Sequence, residues 1–132
     1  MTNQTLKIRT IGAAYAQAWC SHAPEAVAAF FAVDGQIRIN NGDVHKGHAA
    51  LAAMAASFFA DFPDLRVLCD DVRSSGTHVL FSWTLEGRHV TTKNVVRVGG
   101  WEEWELDENL KVKSSLGWFD AVEYQRQIDD GL

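Results

Sequence analysis

Two adjacent glutamates stand between two tryptophans in the stretch WEEW, residues 101–104. The flanking residues alternate as in a half-buried β-strand, in which neighbouring side chains point to opposite faces. Either Glu102 or Glu103 must therefore share a face with apolar residues. A carboxyl group in an apolar interior resists ionisation, so it can donate a hydrogen bond or carry a proton near neutral pH.

The alternation places Glu102 in the interior. One parity of this strand is apolar apart from that glutamate, whereas the other carries three charges. A sheet with one covered face buries its apolar side. A bulge at Gly99–Gly100 would shift the parity of everything after it, but Trp104 and Leu106 would still share a face with Glu102. The inward carboxyl is either a functional acid or a structural group bonded to backbone or to an arginine.

Tyr15 is the predicted companion of Glu102. It lies between Ile11 and Trp19 on the apolar face of the first predicted helix, where the alternative interpretation is a core aromatic residue. An inward phenol and an inward carboxylic acid together are suited to polarising a carbonyl or stabilising an enolate. His45 is the candidate base, because an imidazole titrates near neutral pH.

Six further residues are predicted to line a ligand pocket: Trp19, Asn40, Phe58, Trp83, Trp104 and Trp118. For the tryptophans, packing in the core or at a dimer interface is the alternative, and Asn40 is also a turn former. His45 and His48 have no third ligand nearby, so we predict no metal site. The sequence has no phosphate loop or dinucleotide motif, and we predict no cofactor.

The elements that must position these side chains are three helices followed by long strands. Helical spacing of apolar residues predicts helices over residues 5–20, from Pro24 to Phe31 and over residues 47–62, with a short strand at residues 34–40 before the third. The period then changes to two, which predicts strands over residues 64–74, 78–90, 94–107 and 110–120. Short turns between the strands indicate antiparallel hairpins, and residues 121–131 form a terminal helix or a tail. This order is typical of an α+β protein with helices packed on one side of a curved antiparallel sheet.

Length and composition restrict the possible functions. The chain has 132 residues, which predicts a single domain over residues 1–132. Its net charge of −5, with basic residues scattered singly, excludes an electrostatic nucleic-acid surface. The first ten residues lack the apolar core of a signal peptide, and no segment is apolar enough to span a membrane. We therefore expect a cytoplasmic protein.

The sequence from Ala13 to Asn40, the segment KGHAALAAMAASFF and the closing GGWEEWELDENLKVKSSLGWFD resemble the nuclear transport factor 2-like superfamily. Within it the chain is similar to the SnoaL-like group, which is related to polyketide cyclases and ketosteroid isomerase. The resemblance implies a cone-shaped fold. Ketosteroid isomerase combines a carboxylate base with a tyrosine and a protonated acid. By position these two oxyanion groups correspond to Tyr15 and Glu102, whereas the base falls at or beside Ile39, where no carboxylate stands.

The resulting expectation is a pocket protein that acts on a small hydrophobic carbonyl or enolisable compound as an isomerase, cyclase or dehydratase. In that case Tyr15 and Glu102 would polarise the oxygen, and His45 or a water would move the proton. The alternative is a non-catalytic module of the same fold, which binds a small molecule or serves for dimerisation. A homodimer built on the sheet face is expected in either case.

Overall fold

The computed structural model describes residues 3–132 and contains helices on one side of a six-stranded sheet. The helices are α1 (Asn3–Cys20), α2 (Pro24–Ala28), α3 (His48–Asp61) and α4 (Ala121–Asp130). The strands are β1 (Phe31–Ile39), β2 (Val44–Lys46), β3 (Arg66–Ser75), β4 (His78–Arg88), β5 (Val95–Leu106) and β6 (Val112–Phe119). None of the helices within residues 3–132 combines the length and the hydrophobicity that a bilayer crossing requires.

The sheet has the order β2-β1-β6-β5-β4-β3. Strands β3 to β6 form an antiparallel meander, as the short turns predicted. Strand β1 joins the meander in parallel with β6, and β2 pairs with it in antiparallel orientation. The predicted α+β arrangement of helices on an antiparallel sheet is thus confirmed, and the sheet edge beside β1 carries one additional short strand.

The first half of the chain differs from the sequence prediction at two places, the end of the second helix and an additional strand. Helix α2 ends at Ala28, and Phe31 begins β1 rather than ending the helix. The backbone reason is that Val112 N–H donates to Phe30 O at 3.0 Å, so β6 holds this segment in the sheet. Strand β2 was not predicted. At the other end of the chain, the terminal segment is a helix, α4, which is one of the two predicted alternatives.

Strand β5 runs without a bulge. Its register with β4 is continuous from Glu105 to Val95, so the two glycines within it leave the parity unchanged. Gly100 instead makes room for a side chain, because a Cβ there would lie 2.5 Å from Cζ2 of Trp83. Glu102 therefore shares the covered face with Trp104, as the sequence predicted.

Strand β6 does contain a bulge. Val112 pairs with Leu106 and Ser114 pairs with Glu105, which leaves Lys113 as an extra residue. The insertion reverses the parity of the rest of the strand. As a result the covered positions are Ser115 and Gly117. Leu116 and Trp118, which the sequence placed on the same face as Val112, lie on the outer face instead.

An aromatic cluster around Tyr15 joins α1 to the sheet. The Tyr15 ring meets the edges of Trp104 at 5.2 Å, Phe81 at 5.4 Å and Phe30 at 5.5 Å between centroids. Phe81 and Trp104 stack on each other at 5.2 Å. Edge-to-face and offset-stacked rings are favourable packing arrangements. This cluster fixes the middle of α1 against β4 and β5.

Substitution of Gly12 should measure how closely α1 approaches the sheet. A Cβ at Gly12 would lie 2.5 Å from Cγ2 of Val72, so Gly12→Ala should lower the free energy of unfolding by about 1–2 kcal/mol. This loss would occur although alanine is intrinsically the better helix former by about 1 kcal/mol. In a Val72→Ala background, where the methyl group is absent, chemical denaturation should show the same substitution to be neutral or stabilising. A loss of equal size in both backgrounds would contradict this packing.

Candidate active site

The candidate site is built around the Glu102 carboxyl group in the middle of β5. The side chain is 6% exposed and faces the helices. Its neighbours in the sheet are Phe81 on β4 and Gly117 on β6. A polar group in such surroundings needs hydrogen-bond partners, because burial without them costs several kcal/mol.

Three side chains from three elements supply those partners. The indole Nε1–H of Trp104 donates to Oε1 at 2.9 Å, and the Ser115 hydroxyl donates to the same oxygen at 2.8 Å. The Tyr15 hydroxyl lies 3.2 Å from Oε1 and 3.0 Å from Oε2. Oε1 therefore has two donors of its own, whereas the Tyr15 hydroxyl is the only hydrogen-bond partner of Oε2 within residues 3–132.

This arrangement accommodates both protonation states of Glu102. In the ionised form, all three donors point at the carboxylate. In the neutral form, Oε1 remains the carbonyl oxygen that accepts from Trp104 and Ser115, and the proton resides on Oε2. From there it can be donated to the Tyr15 oxygen or to a ligand.

Burial controls the ionisation of the pair. Desolvation raises the pKa of Glu102 above its ordinary value, and the hydrogen bonds from Trp104, Ser115 and Tyr15 only partly oppose this effect. Desolvation, reinforced by the neighbouring carboxylate, also raises the pKa of Tyr15 well above its ordinary value. The phenol is consequently a permanent donor, and Glu102 is the group that changes protonation.

A cavity between the helices and the sheet has Glu102 among its lining residues. It contains about 580 Å³ of space free of protein atoms, part of it open to solvent. Among the described residues that line it, Glu102 and Tyr124 are the titratable ones, and the remainder are aliphatic or aromatic apart from Gly117. No lysine, arginine or histidine belongs to the lining within residues 3–132. The cavity is therefore an apolar pocket with an acid in its wall, a form common among small-molecule sites.

Three of the predicted pocket residues do line the cavity: Trp19 from α1, Phe58 from α3 and Trp83 from β4. The Trp19 and Phe58 rings meet at 5.9 Å between centroids. Helical spacing in α1 and α3 and alternation in β4 had given each of them an inward direction. The structure brings them together on the same cavity.

Two of the predicted tryptophans lie elsewhere. Trp104 is fully buried behind the cavity wall, where its indole holds Glu102 instead of contacting ligand space. Trp118 is opposite Trp101 on the outer face, because the extra residue Lys113 reverses the parity of β6. The prediction that these two residues line the pocket is corrected accordingly.

Asn40 and His45 also lie outside the cavity lining. Asn40 closes the β1–β6 ladder: its N–H donates to Gly117 O at 2.7 Å, and its Oδ1 accepts from Phe119 N–H at 3.1 Å. His45 stands opposite Ile37 at the β1–β2 edge, half-buried. Asn40 is thus a backbone-binding residue, and the structure gives His45 no contact with Glu102.

Tyr15 has a different place from the one predicted. It forms the expected hydrogen bonds with Glu102, but it is fully buried and does not line the cavity. Its hydroxyl therefore orients the carboxyl group, and direct contact with a ligand oxygen falls to Glu102. No group of three or more metal-ligating side chains is present within residues 3–132.

Several site residues were missed from the sequence. Ser115 and Phe119 face inward only because of the bulge in β6, for which the sequence carries no clear signal. Tyr124 reaches the cavity from α4, a segment whose structure the sequence left open. Ile37 and Ile39 share one face of β1, so their inward direction was predictable from alternation. They were not named as pocket residues because the predicted site was built on polar and aromatic side chains.

A family model for the SnoaL-like domain matches residues 13–114, a span that includes Tyr15 and Glu102. A search of curated proteins gives no sequence match. Solved structures show the same fold at low sequence identity.

A protein from Catenulispora acidiphila DSM 44928, described as having a ketosteroid isomerase-like fold and solved in complex with trimethylamine, has a TM-score of 0.82 and 19% identity. The alignment covers 89% of this chain and 90% of that one. A protein from Jannaschia sp. CCS1, described as a SnoaL-like polyketide cyclase, has a TM-score of 0.79 and 15% identity over 98% of this chain and 94% of its own. The epoxide hydrolase/cyclase-like enzyme SalBIII, connected with pyran ring formation in the polyether salinomycin, has a TM-score of 0.80 and 16% identity over 93% and 97%. These likenesses establish the cone-shaped nuclear transport factor 2-like fold.

Stability should depend on pH through Glu102. Because burial raises its pKa above the ordinary 4.5, the folded protein binds this proton more tightly than the unfolded chain does. That stabilisation is complete below the unfolded pKa and is lost as the pH rises through the folded pKa, with a slope of up to about 1.4 kcal/mol per pH unit. Urea unfolding of the wild type and of Glu102→Gln, from mildly acidic to neutral pH, should give this slope as their difference. Parallel curves would contradict a raised pKa.

Removal of one donor should raise the pKa of Glu102 further. Ser115→Ala deletes a hydrogen bond that favours the ionised form, so the carboxyl should titrate at higher pH than in the wild type. The measurement is a ¹³C NMR titration of the Glu102 side-chain carboxyl. Ser114→Ala, at the neighbouring half-buried position of β6, is the matched control and should leave the titration unchanged. An unchanged or lower pKa in Ser115→Ala would show that this hydroxyl does not bind the carboxylate.

Proposed function

The chain belongs to the SnoaL-like family, and we propose that it acts on a small hydrophobic carbonyl or enolisable compound as an isomerase, cyclase or dehydratase. The observation that carries this proposal is the buried Glu102 carboxyl in the wall of an otherwise apolar cavity. Such a group supplies the acid–base function that enolisation and carbonyl condensation require.

The lining of the cavity supports a neutral ligand. A phosphate or carboxylate would enter an apolar space without a cationic partner in the lining and beside an acidic residue, which is unfavourable for a desolvated anion. Aromatic and aliphatic side chains such as Trp19, Phe58 and Trp83 instead favour an apolar skeleton. One ligand oxygen can then be bound by the neutral Glu102.

The proposed chemistry uses Glu102 for proton transfer. The neutral carboxyl donates its proton to the carbonyl oxygen of the ligand, and the resulting carboxylate removes a proton from the α-carbon, which gives the enol. Where the enol is conjugated with a carbon–carbon double bond, Glu102 can protonate the far carbon, and return of the enol hydroxyl proton to the Glu102 carboxylate completes an isomerisation. Alternatively the α-carbon can attack a second carbonyl group of the ligand, whose oxygen takes the proton from Glu102 while the enol hydroxyl returns its own proton to the carboxylate, which closes a ring. Tyr15, Trp104 and Ser115 stabilise the carboxylate between the transfers without contacting the ligand.

His45, the base expected from the sequence, has no part in this mechanism because it is not in the lining. A water molecule in the cavity is the remaining carrier for a second proton.

Binding without turnover is the second candidate function. The observation in its favour is that the described lining offers no second acid or base titrating near neutral pH, since the other titratable group is the phenol of Tyr124. A binding protein of this kind would use Glu102 as a hydrogen-bond donor only. The two candidate functions make different predictions for the exchange of ligand protons with solvent, and the same prediction for ligand affinity.

We propose that the protein forms a homodimer through the outer face of the sheet. The outer face of the sheet, on which no helix of residues 3–132 packs, exposes apolar side chains in neighbouring strands: Leu80 is 37% exposed, Trp101 44% and Leu116 41%. Their exposure supports self-association through this face.

Exchange of the methyl protons of 2-acetylnaphthalene in D₂O should test the enzymatic function. We expect the wild type to accelerate this exchange and Glu102→Gln to reduce the acceleration by at least about 100-fold. Affinity for the ketone should stay within about threefold, because glutamine keeps the hydrogen-bonding geometry of the neutral acid. Glu103→Gln changes the adjacent carboxyl on the outer face and serves as the matched control. Binding without any accelerated exchange would support the second candidate, and absence of binding would contradict both.

A further inference from the structure

The outer face of the sheet is made of rows of side chains that run across the strands. One of these, the central row, takes one residue from each strand, and each member is the register partner of the next. In the order β2-β1-β6-β5-β4-β3, its members are Val44, Arg38, Leu116, Glu103, Leu80 and Arg73. Apolar and charged residues therefore alternate along the row.

The apolar members of the central row belong to one continuous exposed patch. Leu80, Leu116 and Val44 are all exposed, Val44 by 49%. In the adjacent row of the same face, Trp101 is opposite Trp118. A contiguous apolar patch on a sheet face is typical of a protein interface.

The two arginines of the central row differ in their ion pairs. Arg73 donates from Nε to Asp71 at 2.9 Å, on its own strand. The Arg38 guanidinium donates to the backbone carbonyl of Gly42 at 3.0 Å, and it forms no ion pair within residues 3–132. Arg38 can therefore bind a carboxylate of another molecule without breaking an existing ion pair.

Glu103 introduces negative charge into the middle of the apolar patch. It lies between Leu80 on β4 and Leu116 on β6. Its ion pair within residues 3–132 is with Nε2 of His78 at 2.8 Å, and the other ring nitrogen of that histidine binds Glu105. One imidazole cannot neutralise two carboxylates, so the patch keeps a net negative charge. Burial of the patch requires a further cation.

A two-fold axis along β6 makes the central row complementary to itself. Rotation of a second copy about this axis reverses the order of the strands and leaves β6 facing β6. Leu116 then meets the partner's Leu116, and Val44 meets the partner's Leu80. Arg38 meets the partner's Glu103, and two-fold symmetry repeats this ion pair on the other side of the axis. Facing sheets pack about 10 Å apart, a distance that an arginine and a glutamate side chain span together.

Two-fold axes along the neighbouring strands match the charges less well. An axis along β5 sets Glu103 against the partner's Glu103 and Arg38 against the partner's Arg73, which juxtaposes like charges. An axis along β4 sets Glu103 against the partner's Arg73, which already binds Asp71. It also leaves Leu116 outside the contact.

We propose that a second copy of this chain covers the outer face about a two-fold axis along β6, with Arg38 of each protomer bound to the partner's Glu103. This inference rests on the homodimer proposed above and specifies its register. The cation that the patch lacks is then supplied by the partner subunit, and the ion pairs select this register among the possible face-to-face contacts.

A charge exchange tests this contact. Sedimentation velocity gives the dimer dissociation constant of the wild type, of Arg38→Glu, of Glu103→Arg and of the variant with both changes. Each single substitution sets like charges against each other at two points of the interface, so the constant should rise by at least about 100-fold. The double variant restores the pairs with reversed polarity and should return to within about tenfold of the wild type.

Arg73→Glu is the matched control. It makes the same change in net charge as Arg38→Glu, in the same row, but on β3, which lies outside a contact centred on β6. It should change the dissociation constant by less than about threefold. Thermal unfolding of every variant distinguishes a lost contact from a lost fold.

Each other outcome counts against a specific part of the proposal. If the wild type is monomeric at millimolar concentration, both this inference and the homodimer are overturned, whereas the chemistry at Glu102 is decided by the proton-exchange experiment. If the wild type is a dimer that Arg38→Glu leaves intact, the ion pair is overturned and the homodimer stands. If Arg73→Glu weakens the dimer as much as Arg38→Glu does, the axis along β6 is overturned. A folded double variant that stays monomeric overturns direct contact between the two residues.

Discussion

The structure depends on the hydrogen bonds that one buried carboxyl group receives. Glu102 brings a polar group into the covered face of the sheet, and its partners come from α1, from the same strand and from β6. Three elements distant in sequence must therefore meet at one point, or a buried polar group is left without partners. The aromatic rings around Tyr15 pack on this point and keep water from it. Desolvation makes burial of this carboxyl group unfavourable, and it also raises the pKa of Glu102. A raised pKa is what allows a carboxyl group to hold a proton for transfer.

Much of this arrangement was predictable from the sequence because two periodicities are clear in it. The inward directions of Tyr15 and Trp19 follow from helical spacing in α1, and that of Glu102 follows from alternation in β5. The resemblance to the nuclear transport factor 2-like superfamily predicted the fold. The family match and the similar structures confirm that prediction. These predictions succeeded because each rests on a regular element without interruption.

The remaining errors have local physical causes. The bulge at Lys113 is one residue in an otherwise regular strand, and it transferred Trp118 outward and Ser115 inward. Asn40 was expected at a ligand but binds the backbone of β6, an interaction between segments far apart in the chain. Tyr124 depends on where α4 returns to the sheet, which is a matter of tertiary packing and not of periodicity.

The bulge in β6 also accounts for the small side chains that border the cavity beside Glu102. With the regular alternation, the strand would direct Leu116 and Trp118 towards the helices, and these side chains would occupy the space over Glu102. With the extra residue, the same interior positions belong to Ser115 and Gly117, which are among the smallest side chains. One inserted residue thus leaves space in the interior, because small residues take the inward positions of large ones. It also places the side chains of Leu116 and Trp118 on the outer face of the sheet. The space above Glu102 and the exposed apolar side chains on the outer face are, in this protein, two results of a single change in strand phase.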